Sequence, residues 1–241
     1  MDISVIKNDK KIRRYTFLQL LNGLEGIIVI ITCYLTFFFK PLRDRWGLSK
    51  TEVDIPLPVD EVVAKPKSQY SHAVIINAPV NCVWPWIAQI GQGRGGFYSY
   101  EVLENITGLN ISNSEEILLD YQHPKVGDLI PFGPKDAYPL IYCNYNQGMA
   151  IENWYDLDAK KVYDPKLYSP KNYLHLTWLW YVESQGANCS RFISRNRIDY
   201  SSSFKSKLMF GFLTEPVIFA MDRKMCLGIK KRAEQLYEKK A

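Results

Sequence analysis

Two glutamates spaced three residues apart, Glu101 and Glu104, are the residues in this chain best suited to acid–base chemistry. In a helix this spacing places both carboxyls on part of one face, where either could act as a general acid or base. An apolar pocket would raise the pKa of such a carboxyl, which suits that task. Two alternatives stay open: Glu101 only complements the helix dipole, and Glu104 is solvated or paired with an arginine.

Arg94 precedes these glutamates in the glycine-rich stretch IGQGRGGFYSYEVLEN, residues 90–105. Its guanidinium could act as the electrophilic partner of a catalytic carboxyl, hold the carboxylate of a ligand, or pair with Glu104. We expect the polar side chains of this stretch to lie beside a binding cavity and to orient the polar end of a ligand. The candidates are Gln92, Arg94, Tyr98, Tyr100 and Glu104.

The same stretch matches the dinucleotide fingerprint G-x-G-x-x-G through Gly91, Gly93 and Gly96. That fingerprint requires a strand before it and a helix that begins within it. Here the hydrophobic spacing predicts a helix before the glycines and antiparallel strands further on. We therefore expect the glycines to allow a sharp turn between two helices rather than to hold a phosphate.

Composition and spacing argue against several other kinds of site. The five cysteines are isolated and odd in number, so neither a disulfide framework nor a zinc site is expected. The three histidines are far apart, and no metal ion or cofactor is expected. The net charge is +5, but the basic residues gather at the two ends of the chain without a nucleic-acid-reading motif, so no nucleic-acid partner is expected.

The N-terminus divides into a basic tail, residues 1–14, and an apolar stretch, residues 15–39, that predicts a single transmembrane helix. Glu25 is the charged exception within this stretch, and it lies away from the centre. A cleaved signal peptide and a buried or interfacial amphipathic helix are the alternatives. The prediction is a single-pass protein of the bacterial cell membrane, with the side of the soluble part undetermined.

Residues 40–68 carry several prolines and mixed charges, which predicts an extended linker. Residues 69–241 then form the folded domain. Alternating apolar residues predict strands, and apolar spacing of three and four predicts helices. The predicted strands cover 70–78, 126–132, 138–146, 149–155, 174–184 and 190–200. The predicted helices cover 79–90, about 99–108, a third element begun by the capping box of Ser112 and Glu115, and 215–239.

This order of elements predicts an α+β fold of the helix-grip kind. The later strands have no helical connections between them, so the sheet should be antiparallel and curved. The long C-terminal helix is the only element that can cover its concave face, and a cavity is expected between the two. Trp178 and Trp180 share one sheet face and could line that cavity or simply pack in it. Arg195 could be a polar anchor inside it or a solvated residue of the convex face, together with Arg197.

Several segments carry a resemblance to a known family. The stretch IGQGRGGFYSYEVLENITGLNISNSEEI resembles the signature of a bacterial branch of the SRPBCC superfamily, the START-like helix-grip proteins, in the run Gln-Gly-Arg-x-Gly-Phe-Tyr-Ser-Tyr followed by Leu-Glu-Asn. APVNCVWPWIAQI is similar to the family's alanine–proline helix, EPVIFAMDRKMCLGIKKRAE to its closing helix, and RWGLSKTEVDIPLPVDEVV to its lead-in. The resemblance extends over residues 46–234.

The resemblance implies a cavity under the C-terminal helix, which in known members holds hydrophobic ligands, lipids, sterols or polyketide intermediates. Some members are cyclases or hydrolases, and many only bind or carry. The expected function is a membrane-tethered binding or carrier domain for a hydrophobic or amphipathic, lipid-like molecule. The alternative is a polyketide cyclase-like or hydrolase-like enzyme that uses Glu104 or Glu101 with Arg94. A third class, a structural or interaction protein, would fill the cavity with its own aromatics, such as Trp178, Trp180 and Phe192.

Overall fold

An antiparallel sheet of seven strands forms the centre of the protein in the computed structural model, which describes residues 15–240. The basic tail predicted over residues 1–14 lies outside the described residues. The strand order is β1-β7-β6-β4-β3-β2, and the short β5 pairs with β4. The strands are β1 Ser68–Ile76, β2 Leu129–Pro131, β3 Ala137–Asn144, β4 Gly148–Asp156, β5 Lys161–Val162, β6 Tyr173–Ser184 and β7 Ser190–Tyr200.

The helices lie at both ends of the chain and between β1 and β2. They are α1 Phe17–Leu35, α2 Lys40–Arg43, α3 Lys50–Val53, α4 Val80–Ala88, α5 Glu101–Ile106, α6 Phe204–Leu208 and α7 Glu215–Glu238. A π-helical turn, Met209–Leu213, connects α6 to α7. The predicted α+β helix-grip architecture is confirmed: α7 packs across one face of the antiparallel sheet.

The long helix α7 is held on the sheet by an apolar stripe and by the hydrogen bonds of one buried carboxylate, that of Asp222. Met225, Ile229 and Ala233 are buried in the same core as Trp180 and Phe192, as their helical spacing predicts. Asp222 accepts a hydrogen bond from the Nδ1 of His72 on β1 and another, 2.7 Å long, from the Oγ of Ser194 on β7. These contacts identify the face of the sheet that carries α7, called here the α7 face.

The segment between α1 and the sheet differs from its prediction. Residues 40–68 include the helices α2 and α3 and pack on the sheet face opposite α7, called here the outer face. Val59, for example, is buried with Ala150 of β4 and Leu179 of β6. The expected extended linker is therefore wrong in its conformation, because its apolar residues cover the outer face and its backbone carbonyls bind arginines of β7.

A helix after Ser112 was also predicted, and the structure has none between α5 and the 3-10 turn Leu119–Tyr121. The backbone of this segment is used elsewhere: the N–H of Ser114 donates to the carbonyl of Gly95, and the N–H of Leu118 donates to the Oε1 of Gln89. The Glu115 carboxylate contacts Arg232 of α7 instead of capping a helix. Tertiary hydrogen bonds thus replace the local ones that a helix would need.

The N-terminal helix α1 has 19 residues and, by length and composition, is apolar enough to cross a membrane. It lies against α5 and α7. Gly23 and Gly26 contact Val102 and Leu103 of α5, and the absence of side chains at the two glycines permits this close approach.

Candidate functional site

A row of half-buried apolar side chains runs along β6 on the α7 face. Leu174, Leu176 and Trp178 alternate along the strand, and the Nε1 of Trp178 donates a 2.8 Å hydrogen bond to Ser194, which also binds Asp222 of α7. β6 is an interior strand of the sheet. Although Phe210 and Ile218 pack in this region, the row stays half-buried, so α7 and its neighbours leave these side chains partly accessible. We call this row and the residues beside it the β6 groove.

Two asparagines lie beside the row on the neighbouring strands. Asn153 of β4 pairs with Leu176 in the sheet register, and Asn196 of β7 pairs with Trp178. Both are buried, and the Oδ1 of Asn153 has no hydrogen-bond partner among the described residues. A buried amide oxygen without a partner is costly, and such an atom is suited to accept a hydrogen bond from a ligand.

Aromatic rings form one side of the β6 groove. The ring of Trp178 stacks on that of Phe97 at 5.9 Å and 12°, and Phe132 contacts both rings at 6.2 and 5.1 Å. Further along the strand, Trp180 and Phe192 are fully buried. The interior of the helix grip is thus fully packed at Trp180, whereas Leu174 and Leu176 are only half-buried. These two leucines pack against a second cluster that contains Tyr70, Ile198 and Tyr200. Trp180, predicted as a ligand contact, is a core residue.

Glu104 is a buried carboxyl without a partner. Val102 and Leu103 of α5 contact α1, so Glu104, about 100° further round the helix, lies against the rest of the domain. Its side chain is 5% exposed, and no hydrogen-bond partner of its Oε2 is found among the described residues. Desolvation, with a smaller contribution from the Glu101 charge, raises the pKa of Glu104 to about 8. The carboxyl is therefore protonated at neutral pH and can donate a hydrogen bond.

Glu101 has a different environment. Its Oε1 accepts a 2.6 Å hydrogen bond from the N–H of Asn113, and its Oε2 accepts one from the side chain of Gln19 on α1. The predicted pair thus divides into Glu101, whose two oxygens are both hydrogen-bonded within the protein, and Glu104, which is buried.

The predicted pairing of Arg94 with Glu104 is wrong. The Arg94 guanidinium donates to the carbonyl of Ala88 at 2.9 Å and lies 4.7 Å from the ring centre of Tyr121. Burial lowers the pKa of Arg94. Gln92 donates to the carbonyl of Asn110 at 3.4 Å. Both side chains hold the glycine-rich loop to its neighbours, so neither carries a role in the β6 groove.

Tyr98 and Tyr100 also make contacts within the protein. The hydroxyl of Tyr98 donates to the carbonyl of Trp86 at 3.0 Å. The Tyr98 backbone is in the left-handed region, at φ 55°, and Gly228 of α7 packs directly on it. Tyr100 is buried against Gly26 of α1, with Lys224 4.9 Å from the centre of its ring. Both tyrosines attach α1 and α7 to the loop.

Arg195 lies on the outer face, not in the cavity. The residue is 2% exposed. Its guanidinium donates to Asp60 at 2.6 Å and to the carbonyls of Val53 and Ile55 at 3.0 Å each. Arg197 binds the same segment through the carbonyl of Val63. The prediction of a cavity anchor is wrong. Side chains alternate along β7, so Ser194 and Asn196 lie on the α7 face and the two arginines lie on the outer face, where residues 40–68 cover them.

A separate surface cleft of about 420 Å³ lies between α1, α7 and the loop after α4. Two of its cations are paired within the protein, Lys224 with Glu25 and Arg232 with Glu115. Lys231 lines the cleft without a partner among the described residues. Sequence reasoning missed this cleft, although the spacing of seven between Lys224 and Lys231 places both on one side of α7. The lining of this cleft is mostly polar and charged, so it suits an apolar ligand less well than the row on β6 does.

Among residues 15–240, no group of three or more histidine, cysteine, aspartate or glutamate side chains is placed to hold a metal ion.

Comparison with known proteins gives similarity at the level of solved structures. No family model matches the chain, and no curated protein matches it. A hypothetical protein from Helicobacter pylori is 11% identical, with 73% of this chain and 94% of that chain covered and a TM-score of 0.43. Truncated norcoclaurine synthase from Thalictrum flavum is 15% identical, with 68% and 91% covered and a TM-score of 0.34.

The Zhui aromatase/cyclase from a Streptomyces species is 13% identical, with 69% of this chain and 93% of that chain covered and a TM-score of 0.30. Ligand-binding proteins and cyclase-type enzymes both use helix-grip folds. At these scores, the helix-grip assignment rests on the strand order and on the docking of α7 in this chain.

Proposed function

We propose that the protein is a membrane-associated binding or carrier domain for an amphipathic small molecule, which it holds in the β6 groove. The observation that carries the proposal is the row Leu174, Leu176 and Trp178, half-buried on the covered face of an interior strand. An apolar row in that position offers contact area to an apolar ligand without further change in the fold.

A buried polar atom beside the row gives the site a means of orientation. The Oδ1 of Asn153, which pairs with Leu176 in the sheet register, has no partner among the described residues and is placed to accept a hydrogen bond from a ligand. A ligand with a hydroxyl or amide at one end of an apolar body matches this arrangement, because its hydrogen bond would remove the cost of the unpaired amide oxygen. The proposed ligand class is therefore a lipid-like molecule with a neutral polar end.

The helix α1 supports the proposed membrane association. This helix exposes most of its apolar residues, and an apolar surface of this extent on a soluble protein marks a contact with a membrane or a partner. A protein at the bilayer is next to the phase in which amphipathic molecules concentrate.

The test uses the full chain, purified in detergent from membranes and examined by native mass spectrometry with lipid extraction. The variant Leu176→Trp fills the groove with a larger side chain, and Leu119→Trp, at a residue that is 81% exposed, is the matched control. We expect a bound apolar species in the wild type and in the control, with at least a tenfold loss in Leu176→Trp. Equal amounts in all three proteins, or no bound species from any membrane extract, would contradict the proposal.

A second candidate, an enzyme of cyclase or hydrolase type, is favoured by Glu104 specifically. A carboxyl that is protonated at neutral pH can act as a general acid. The variant Glu104→Gln keeps the size and hydrogen-bonding capacity of the side chain but cannot transfer a proton. A bound species that gains or loses one water in the wild type but not in the variant would establish the enzyme. Unchanged mass in both proteins supports the carrier.

A further inference from the structure

The helix α1 lies along the folded domain instead of projecting from it. The side chain of Gln19 donates to Glu101 near the start of the helix, and the hydroxyl of Tyr34 donates to the carbonyl of Leu213 at its end. Between them, Glu25 forms a 2.6 Å ion pair with Lys224 of α7. The contacts from Gln19 to Tyr34 extend over about 22 Å at 1.5 Å per residue, which is most of the length of α1.

This arrangement conflicts with a helix that crosses the bilayer alone. The hydrocarbon core is about 30 Å thick, so a crossing α1 would carry its partners Glu101 and Lys224 to membrane depth. Charged groups at that depth are costly. Either α1 leaves the domain before it inserts, or it stays docked and meets the membrane from the side.

The side of α1 away from the domain is apolar and exposed. Leu20, Leu24, Ile28, Ile31 and Leu35 are between 50% and 74% exposed. The surface continues into the 3-10 turn Phe37–Phe39, whose rings are 49% to 63% exposed.

A second segment, distant in sequence, meets this surface. The ring of Phe212 lies 6.2 Å from that of Tyr34 on α1, and Arg43, after the 3-10 turn, binds Glu215 with two hydrogen bonds of 2.9 and 3.0 Å. This segment exposes Phe204, Leu208, Met209, Phe212 and Leu213. We call the exposed apolar side chains of the segments 17–39 and 204–213 the apolar face.

The charges around the apolar face match an anionic lipid surface. Lys205 and Lys207 are exposed on α6 within the second segment. The sequence adds Lys7, Lys10, Lys11, Arg13 and Arg14 immediately before α1. Asp2 and Asp9 lie in the same tail, but its five basic residues outnumber them. Basic residues beside an apolar surface strengthen binding to anionic bilayers.

We infer that the apolar face sits in one leaflet of an anionic phospholipid bilayer, so that α1 lies in the membrane plane and the chain does not cross. The N-terminus and the folded domain are then on the same side. The segment 204–213 is a second membrane contact of this chain. The inference rests on the membrane association in the proposed function and is independent of the ligand in the β6 groove.

The first experiment determines on which side of the membrane the two ends lie. The full chain carries one tag at each end, and protease is added to right-side-out and to inside-out membrane vesicles from cells that express it. Removal of both tags from the same type of vesicle is the expected result. Removal of one tag from each type shows a crossing helix and overturns the inference.

The second experiment tests the segment 204–213 by flotation of the full chain with vesicles of phosphatidylglycerol and phosphatidylcholine. The double variant Phe204→Ser and Phe212→Ser should lower the vesicle-bound fraction at least fivefold. Its matched control is Leu119→Ser with Leu167→Ser, at residues that are 81% and 82% exposed elsewhere. An unchanged bound fraction overturns the inference. If the double variant instead converts a dimer to a monomer and still binds vesicles, the segment is a contact between two copies of the chain, which also overturns the inference.

The ligand measurement keeps the two proposals separate. If the tags lie on opposite sides while Leu176→Trp still loses the bound species, only the membrane arrangement fails. If the tags lie on one side and no species is bound, only the ligand proposal fails.

Discussion

Glu104 lies one helical turn after Glu101 on α5, yet only Glu101 has hydrogen-bond donors on both carboxylate oxygens. Glu104 is buried with an unpartnered oxygen and a pKa raised to about 8. Two identical residues on one short helix thus have different environments, because Glu101 is hydrogen-bonded to Gln19 of α1 and to Asn113 while Glu104 is buried.

The raised pKa of Glu104 predicts that the free energy of unfolding falls as the pH rises. The unfolded chain ionises this carboxyl near its ordinary pKa of 4.5, while the folded protein keeps the proton to about 8. The stabilisation is complete below pH 4.5 and is lost between the two values, by at most about 5 kcal/mol. The measurement is denaturant unfolding from pH 4.5 to 8.5 of the wild type and of Glu104→Gln, whose side chain does not titrate.

We expect the stability of Glu104→Gln relative to the wild type to rise with pH in this window. Glu61→Gln, at an exposed residue, is the matched control and should follow the wild type. Parallel pH profiles of all three proteins would show that Glu104 is ionised in the folded state.

Asp222 accepts hydrogen bonds from β1 and β7, so removal of its carboxylate should lower the free energy of unfolding strongly. Asp222→Ala leaves His72 and Ser194 without their acceptor in the core under α7. Loss of a buried charged partner costs about 3–5 kcal/mol. Ser194→Ala removes one of the two hydrogen bonds and should cost about 1 kcal/mol. Urea unfolding checks both values, and equal losses would show that Ser194 dominates the contact.

The position of Arg195 predicts that it holds the segment after α3 on the sheet. Arg195→Met removes the hydrogen bonds to Asp60, Val53 and Ile55 and should cost about 3 kcal/mol. Limited trypsin digestion should then cut after Lys50 faster than in the wild type. Lys166→Met, in an exposed loop, is the control. Unchanged cleavage after Lys50 would mean that the segment is held without Arg195.

The glycines of α1 predict how closely it approaches α5. A Cβ at Gly26 would lie 2.7 Å from Leu103 and 2.9 Å from Tyr100, so Gly26→Leu should separate the two helices. Hydrogen exchange in Glu101–Ile106 should accelerate at least tenfold in the full chain. Ile28→Phe, on the exposed side of α1, is the control and should leave this exchange unchanged. Equal exchange in both variants would show that α1 does not protect α5.

Much of the fold was predictable because its signals are local. The alternation of apolar residues predicted β6 and β7 almost to the residue, and spacings of three and four predicted α4 and α7. The helix predicted after Ser112 failed because Gly95 and Gln89 take the N–H groups of Ser114 and Leu118. Such competition between distant and local hydrogen bonds has no signature within the segment.

The candidate site was predictable only in part, for the same reason. The sequence singled out Glu104, but its burial depends on the packing of α5 against α1 and the domain. It also singled out Arg195, whose partner Asp60 is 135 residues away in the chain.

By itself, the sequence determined the long strands β6 and β7, the helices α4 and α7 and the apolar character of residues 15–39, since each depends on the period or composition of neighbouring side chains. Only the tertiary structure decided which glutamate is buried, which face of the sheet Arg195 occupies and that α1 lies along the domain. These features depend on the burial of charges and on contacts between segments far apart, and the free energy of such contacts is set by the assembled core.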